Sequence, residues 1–204
     1  MPESAAEIHA RAVAAASGGH LPAPTMTGWE IFPWEVVEGA IAPKTLDAPG
    51  VEQPRLGDEG GAPCDACAGF DPELIVWEDE HWVLNTEPAP SGLPLVLTLW
   101  TRDHEDAGQI DDDLASEFGR ISNRLVRIIE GLPGIGRVHV NRWGDGSAHF
   151  HVWFFARPAG FAQIKGSYAV EWDDILPPVD AAVRKADLHA VATKLANWGG
   201  HARA

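Results

Sequence analysis

Residues 149–155 read HFHVWFF. Phe150, Val152 and Phe154 alternate with His149, His151 and Trp153, a period of two that belongs to a strand. Imidazole is a poor core filler but a good metal ligand and a good nucleophile. A strand that spends one face on His, His and Trp therefore packs that face, binds a metal with it, or attacks a substrate from it.

The flanking segments set the fold class. ELIVWED (73–79), HWVLNTE (81–87), LPLVLTLW (93–100), GRVHVNRW (136–143) and AHFHVWFFAR (148–157) have strand composition, with PAPSG and GDGS as Pro/Gly turns. GDGS predicts a tight hairpin between the last two. Leu114, Phe118, Ile121, Leu125 and Ile128 recur at helical spacing behind the acids Asp111 to Asp113, which suit a helix N-terminus. Leu188, Val191, Leu195 and Trp198 mark a second helix. The expected class is α+β with a mainly antiparallel sheet. Three regions follow: an N-terminal tail and extended arm (1–61), a main domain (62–170) and a C-terminal helical extension (171–204). The Ala-rich tail is expected to be irregular or weakly helical. The arm, with FPW unable to sit in a central strand, is expected to lay its tryptophans on the main domain.

The 204 residues suffice for one core. No apolar run approaches the roughly 18 residues of a membrane helix, and MPESAAEIHARAVAAASGG lacks the basic start and apolar centre of a secretory signal; a cytoplasmic location without membrane contact is expected. The net charge of −15 argues against a nucleic-acid surface. One small phosphate-containing ligand, held by backbone N–H groups and a few local cations, stays compatible with it. The acidic runs at 78–80, 111–113 and 171–174 are expected as solvated faces.

The two cysteines form one motif, Cys64-Asp-Ala-Cys67. Such a pair is either a redox dithiol or half of a metal site. The GGAP and AGFDP flanks lack the strand-to-helix context of a redox pair. Half a zinc site needs two more ligands, and His81, His104, His139, His149 and His151 are the downstream candidates.

CDAC, IVWEDEHWVLNTEPAPSGLPLVLTLWTRDH and HFHVWFFARPAGF together resemble the histidine triad superfamily over about residues 62–165. That superfamily includes nucleoside phosphoramidases, dinucleoside polyphosphate hydrolases and, further off, uridylyltransferases. The resemblance implies a structural zinc, in an arrangement like that of the uridylyltransferases, on Cys64, Cys67, His104 and His149. A register with Ser147, His149 and His151 in the triad is also possible. Placing His149, His151 and Trp153 there is preferred, because it supplies the fourth zinc ligand and aligns FFARPAGF. His151 then becomes the nucleophile at an α-phosphorus, forming a nucleotidyl-histidine in a hydrolase or nucleotidyltransferase. Asn85 matches the ribose-binding position and Asn141 a polar position near the phosphate. Gly144 and Gly146 would aim N–H groups at phosphate oxygens, Ser147 a hydroxyl, and Arg157 or Arg142 a charge. Homodimers are common in the superfamily. Two departures stand out: Leu93 where many members have a histidine, and Trp153 at the third triad position, where indole donates one N–H but accepts no proton. A non-catalytic nucleotide-binding or interaction module is the alternative they motivate.

Overall fold

The computed structural model describes residues 3–23 and 30–204. The first described element is helix α1 (Ala5–Ala15), where the sequence suggested an irregular or weakly helical tail. Ser4 and Glu7 close its N-terminus as a capping box, and Ile8 anchors it in the interior. Next come β1 (Trp34–Val37) and β2 (Ala40–Pro43), a separate two-stranded sheet. The expectation that the arm lays its tryptophans on the main domain is not met for Trp34, which is 43% exposed; Trp29 lies outside the described residues.

The main sheet is built from β3 (Ile75–Glu78), β4 (Trp82–Thr86), β5 (Val96–Thr101), β6 (Ile135–Asn141), β7 (His151–Pro158) and β8 (His201–Ala202). Their order is β6-β7-β5-β4-β3-β8, and every pairing is antiparallel. Helix α2 (Asp112–Glu130) follows β5; α3 (Tyr168–Ile175) and α4 (Ala181–Ala196) follow β7. The molecule is α+β, as the sequence patterns require. Asp111 caps α2 by accepting the Leu114 N–H at 2.8 Å. Asp180 caps α4 in the same way. Helix α3 and strand β8 are additions to the expected order. Trp198 lies beyond the end of α4, exposed under the guanidinium of Arg124.

The two faces of the sheet differ. One carries Leu84, Leu97, Leu99, Val152 and Phe154, which pack against Ile121, Leu125 and Ile129 of α2 and Val191 and Leu195 of α4. Each such side chain contributes about 1.5–3 kcal/mol by leaving water. The register sets Asn85, Thr98, Trp153 and Asn141 side by side across β4, β5, β7 and β6 on the other face. Trp100 and His151 form the next row on the same face, because residues two apart on a strand point the same way. A second cluster, Leu93, Val96, Phe155, Ile164 and Ala169, covers the far end of this face.

One expectation about β7 needs correction. The strand begins at His151, so His149 precedes it. The reason lies at Phe150, whose N–H donates to the Glu105 carbonyl at 2.6 Å. β6 and β7 pair as the expected antiparallel hairpin, but its turn is not the tight GDGS one. Residues 142–150 form a longer connection, pinned by a parallel bridge between Leu56 and Ser147.

Candidate functional site

Three loop segments converge beside the start of β7. Cys64 precedes a short 3-10 turn at Ala66–Ala68 and Cys67 lies within it, His104 follows β5, and His149 precedes β7. Their ligand atoms all lie within 4.8 Å of one another. Cys64 Sγ is 3.4 Å and Cys67 Sγ 3.6 Å from His149 Nδ1, and Cys67 Sγ is 3.2 Å from His104 Nδ1. A tetrahedral zinc with ordinary Zn–S and Zn–N bonds has S···N edges of about 3.5 Å. The donor set therefore fits zinc in both chemistry and spacing, and both cysteines are free thiols. His149 is fully buried, and its Nε2–H donates to the Thr101 carbonyl at 2.8 Å. That bond fixes the tautomer and turns the Nδ1 lone pair toward the sulfurs, an outer contact typical of metal-bound histidine. Burial, with the neighbouring His104 and His151, holds His149 below the usual imidazole range and so neutral. Burial and the neighbouring Cys64 push the Cys67 thiol up; a bound cation reverses that balance.

Gly57 completes the cradle. Its φ is +88°, and a Cβ there would lie 2.5 Å from His104 Cε1 and 3.1 Å from Cys64 Cβ. Only glycine lets the backbone pass so close in this conformation.

His151 stands at the head of β7, half-buried. Its Nδ1 is 2.8 Å from the His149 carbonyl, which can only accept. The proton is therefore on Nδ1, and Nε2 of the neutral ring keeps its lone pair. Trp100, directly opposite on β5, stacks on the ring at 4.3 Å between centroids and 20° between planes. The imidazole is thus held by a hydrogen bond at one edge and an indole over its face.

Asn85 and Asn141 sit at the two ends of the polar row, on either side of Thr98 and Trp153. Asn85 Oδ1 and Asn141 Nδ2 are both buried without a protein partner. A buried amide left half-paired costs about 1–3 kcal/mol, so both atoms are suited to a ligand. Trp153 stacks on Phe155 at 5.9 Å and packs with the second cluster.

The remaining candidates are partly engaged in holding loops. The Ser147 hydroxyl accepts the His149 N–H at 3.2 Å, which leaves its own proton to donate. Gly144 and Gly146 use their carbonyls on Arg55 Nη1 and the Leu56 N–H, both at 3.0 Å. Arg142 is paired with Asp106 at 2.7 Å. Arg157 donates from Nη1 to the Phe161 carbonyl at 3.3 Å, while its buried Nε has no partner. His81 is exposed and bonded to Glu117 at 2.8 Å. His139 stands opposite Phe155 on β6, with a buried and unpartnered Nε2. Leu93 is fully buried.

Sequence reasoning missed Gly57, Trp100, Thr98 and Thr101. Trp100 carried a faint signal, as an indole at the end of an otherwise aliphatic strand. Gly57 carried none.

No family model and no curated protein matches the sequence. Solved structures do match the fold. One is a hypothetical histidine triad nucleotide-binding protein from Sulfolobus tokodaii, at 17% identity over 66% of this chain and 93% of that one, with a TM-score of 0.48. A Zn-bound histidine triad family protein from Mycobacterium smegmatis matches at 15% identity over 61% and 85%, TM-score 0.42. A histidine triad protein from Bradyrhizobium japonicum matches at 18% identity over 59% and 89%, TM-score 0.45. None of these three is described as a uridylyltransferase. The chain is similar in fold to histidine triad proteins, and it carries a Cys2His2 cluster of its own.

Proposed function

We propose that this protein is a zinc-braced, nucleotide-handling enzyme in which His151 is the nucleophile. The observation that carries the reading is the 2.8 Å bond from His151 Nδ1 to the His149 carbonyl. It leaves Nε2 as the reactive atom, on a half-buried ring whose plane Trp100 restrains. Zinc on Cys64, Cys67, His104 and His149 would close a four-ligand shell, and its contribution there is to brace the loops.

Nε2 attacks the α-phosphorus of a nucleoside phosphate ester, anhydride or phosphoramidate. An N–P bond forms, and the bond from phosphorus to the leaving group breaks with its electron pair going to that group. The imidazolium formed on attack keeps its Nδ1–H on the His149 carbonyl. Water or a second acceptor then displaces the nitrogen, completing hydrolysis or transfer. Asn85 would take the ribose hydroxyls, a role supported by its unpartnered Oδ1, which can accept their protons in hydrogen bonds. Asn141 Nδ2, Ser147 Oγ and the N–H groups of Gly144 and Gly146 supply donors for phosphate oxygens, and Arg157 a positive charge. Trp153 supplies no proton to the leaving group, so a good leaving group or a proton from solvent is required. A reducing compartment such as the cytoplasm suits the two free thiols.

A non-catalytic nucleotide-binding module is the second reading, favoured by the stacking of Trp153 on Phe155, which makes that indole a packing element. The test uses adenosine phosphoramidate, diadenosine polyphosphates and nucleotide sugars. Monophosphate release and an acid-labile nucleotidyl adduct on His151, both lost in His151→Ala, support the enzyme. Nucleotide binding with neither release nor adduct across the panel sinks it and leaves the module.

A further inference from the structure

Beyond Trp153 the site face opens into a cleft of about 700 Å³, within the size range of small-molecule sites. Its apolar wall is aromatic. Trp153 stacks on Phe155 with planes 21° apart, and Trp143 meets Phe155 edge-on at 5.8 Å. Trp143 remains 39% exposed, unusual for a side chain of this size. The ionisable groups lining the same cleft are Glu87, Asp173 and Asp174. No Lys, Arg or His stands among the described residues that line it. Arg184 lies near Glu87, but its Nη2 is engaged by Thr86 Oγ1 at 2.8 Å and by the main-chain carbonyl of Glu87. Asp173 is anchored, accepting the Leu93 N–H at 2.7 Å. Glu87 and Asp174 stand close enough to repel its charge.

An anion in this cleft meets three carboxylates and the negative faces of aromatic rings, with no lining cation to offset them. A cation meets complementary charge from both. We propose that the cleft bounded by Trp143, Trp153, Phe155, Glu87, Asp173 and Asp174 binds an organic cation, an ammonium or guanidinium group on a small apolar body. The cleft adjoins Trp153, two residues along β7 from His151. A substrate reacting at His151 would carry the cation on the part that extends past Trp153. That placement rests on the function proposed above; cation binding itself does not.

The test is calorimetric titration of the full, zinc-loaded chain with benzyltrimethylammonium and agmatine, against the carboxylates benzoate and phenylacetate. The cations should bind and the anions should not. Trp143→Ala should weaken cation binding about tenfold, in line with the loss of one desolvated cation–π contact. Both residues of the double variant Glu87→Gln, Asp174→Asn lie outside the core, so it should stay folded by circular dichroism and weaken binding by a similar factor. Anions binding as tightly as cations, cation affinity unmoved in both variants, or no cation binding at all would each overturn the proposal. Cation binding by a protein that never forms a nucleotidyl adduct retains the cleft and removes the catalytic reading. An adduct on His151 without any preference for cations removes the cleft alone.

Discussion

Metal removal is the perturbation whose size follows most directly from the structure. Cys67 and His104 are 37 residues apart, and that loop is nested within the 85 residues separating Cys64 from His149. A zinc ion held by these ligands would close both. With the inner loop closed, the outer one has an effective length of about 48 residues. The chain-entropy relation for cross-links gives about 4 kcal/mol for each closure, or about 8 kcal/mol together. Whole-domain stability is about 5–15 kcal/mol, so the brace carries a large share. Residual metal binding by the unfolded thiols lowers the figure. A chain of this size shifts its Tm by about 2–4 °C per kcal/mol. Chelation should therefore lower the Tm by at least about 10 °C. His104→Ala opens the inner closure but creates no cavity, because His104 is exposed; it should lose roughly half as much. The assay is thermal unfolding by circular dichroism with elemental analysis on the same samples, with and without chelator. About one zinc per chain, combined with a Tm that moves less than about 2 °C when the zinc is removed, would refute the bracing argument.

Three further outcomes are expected. His151→Ala should abolish the covalent adduct seen by mass spectrometry while leaving nucleotide affinity within a few-fold, since Asn85 and Asn141 lie in the neighbouring row. Gly57→Ala combines a φ of +88° with a Cβ 2.5 Å from His104 Cε1; it should speed zinc loss to a competing chelator and lower stability by about 1–3 kcal/mol. Burial holds Asp173 and Asp187 up at about 6. Because both values are raised on folding, the stability they contribute is fully present below about pH 4 and lost as pH rises through 6. Two units correspond to about 3 kcal/mol for a fully buried group, and Asp187 is only 2% exposed. Urea midpoints from pH 5 to pH 8 should fall less steeply in Asp187→Asn than in wild type, and parallel curves would contradict the assignment.

What the sequence made legible was whatever a short period or a compact motif encodes. The alternation at 150–155 placed β7, the stripe from Leu114 to Ile128 placed α2, and CxxC with His104 pointed to the cluster that the fold assembles. The rest depends on contacts distant in sequence. His149 is drawn out of the strand because the Phe150 N–H is taken by Glu105, a residue with no motif around it. Helix α1 was legible only as an irregular or weakly helical tail because its faces are mostly alanine, with Ile8 as the buried anchor; the Ser4–Glu7 capping box was its one local mark. The row Asn85, Thr98, Trp153, Asn141 exists only through the strand order, which sets β5 beside β7 and so joins two pairs of strands distant in sequence. Gly57 is needed because a loop passes His104, and nothing near residue 57 announces that contact.

His149 joins the metal cluster to the reactive face through three atoms. Its Nδ1 faces the sulfurs, its Nε2–H is held by the Thr101 carbonyl, and its own carbonyl accepts the His151 Nδ1–H. A zinc held there would therefore fix the backbone that chooses the tautomer of His151, the proposed nucleophile. If the metal leaves and residues 147–150 loosen, the acceptor for Nδ1–H is no longer fixed, and the His151 proton distributes between its two nitrogens. Nitrogen NMR of the imidazoles reads this directly. Zinc-loaded protein should show His151 as a single tautomer protonated at Nδ1; metal-free protein, held at a temperature where circular dichroism still reports it folded, should show a mixture. The rate of adduct formation should fall in step. A His151 that keeps one tautomer without metal would mean that strand β7 and the Trp100 stack suffice to orient it, and that the zinc contributes to stability alone.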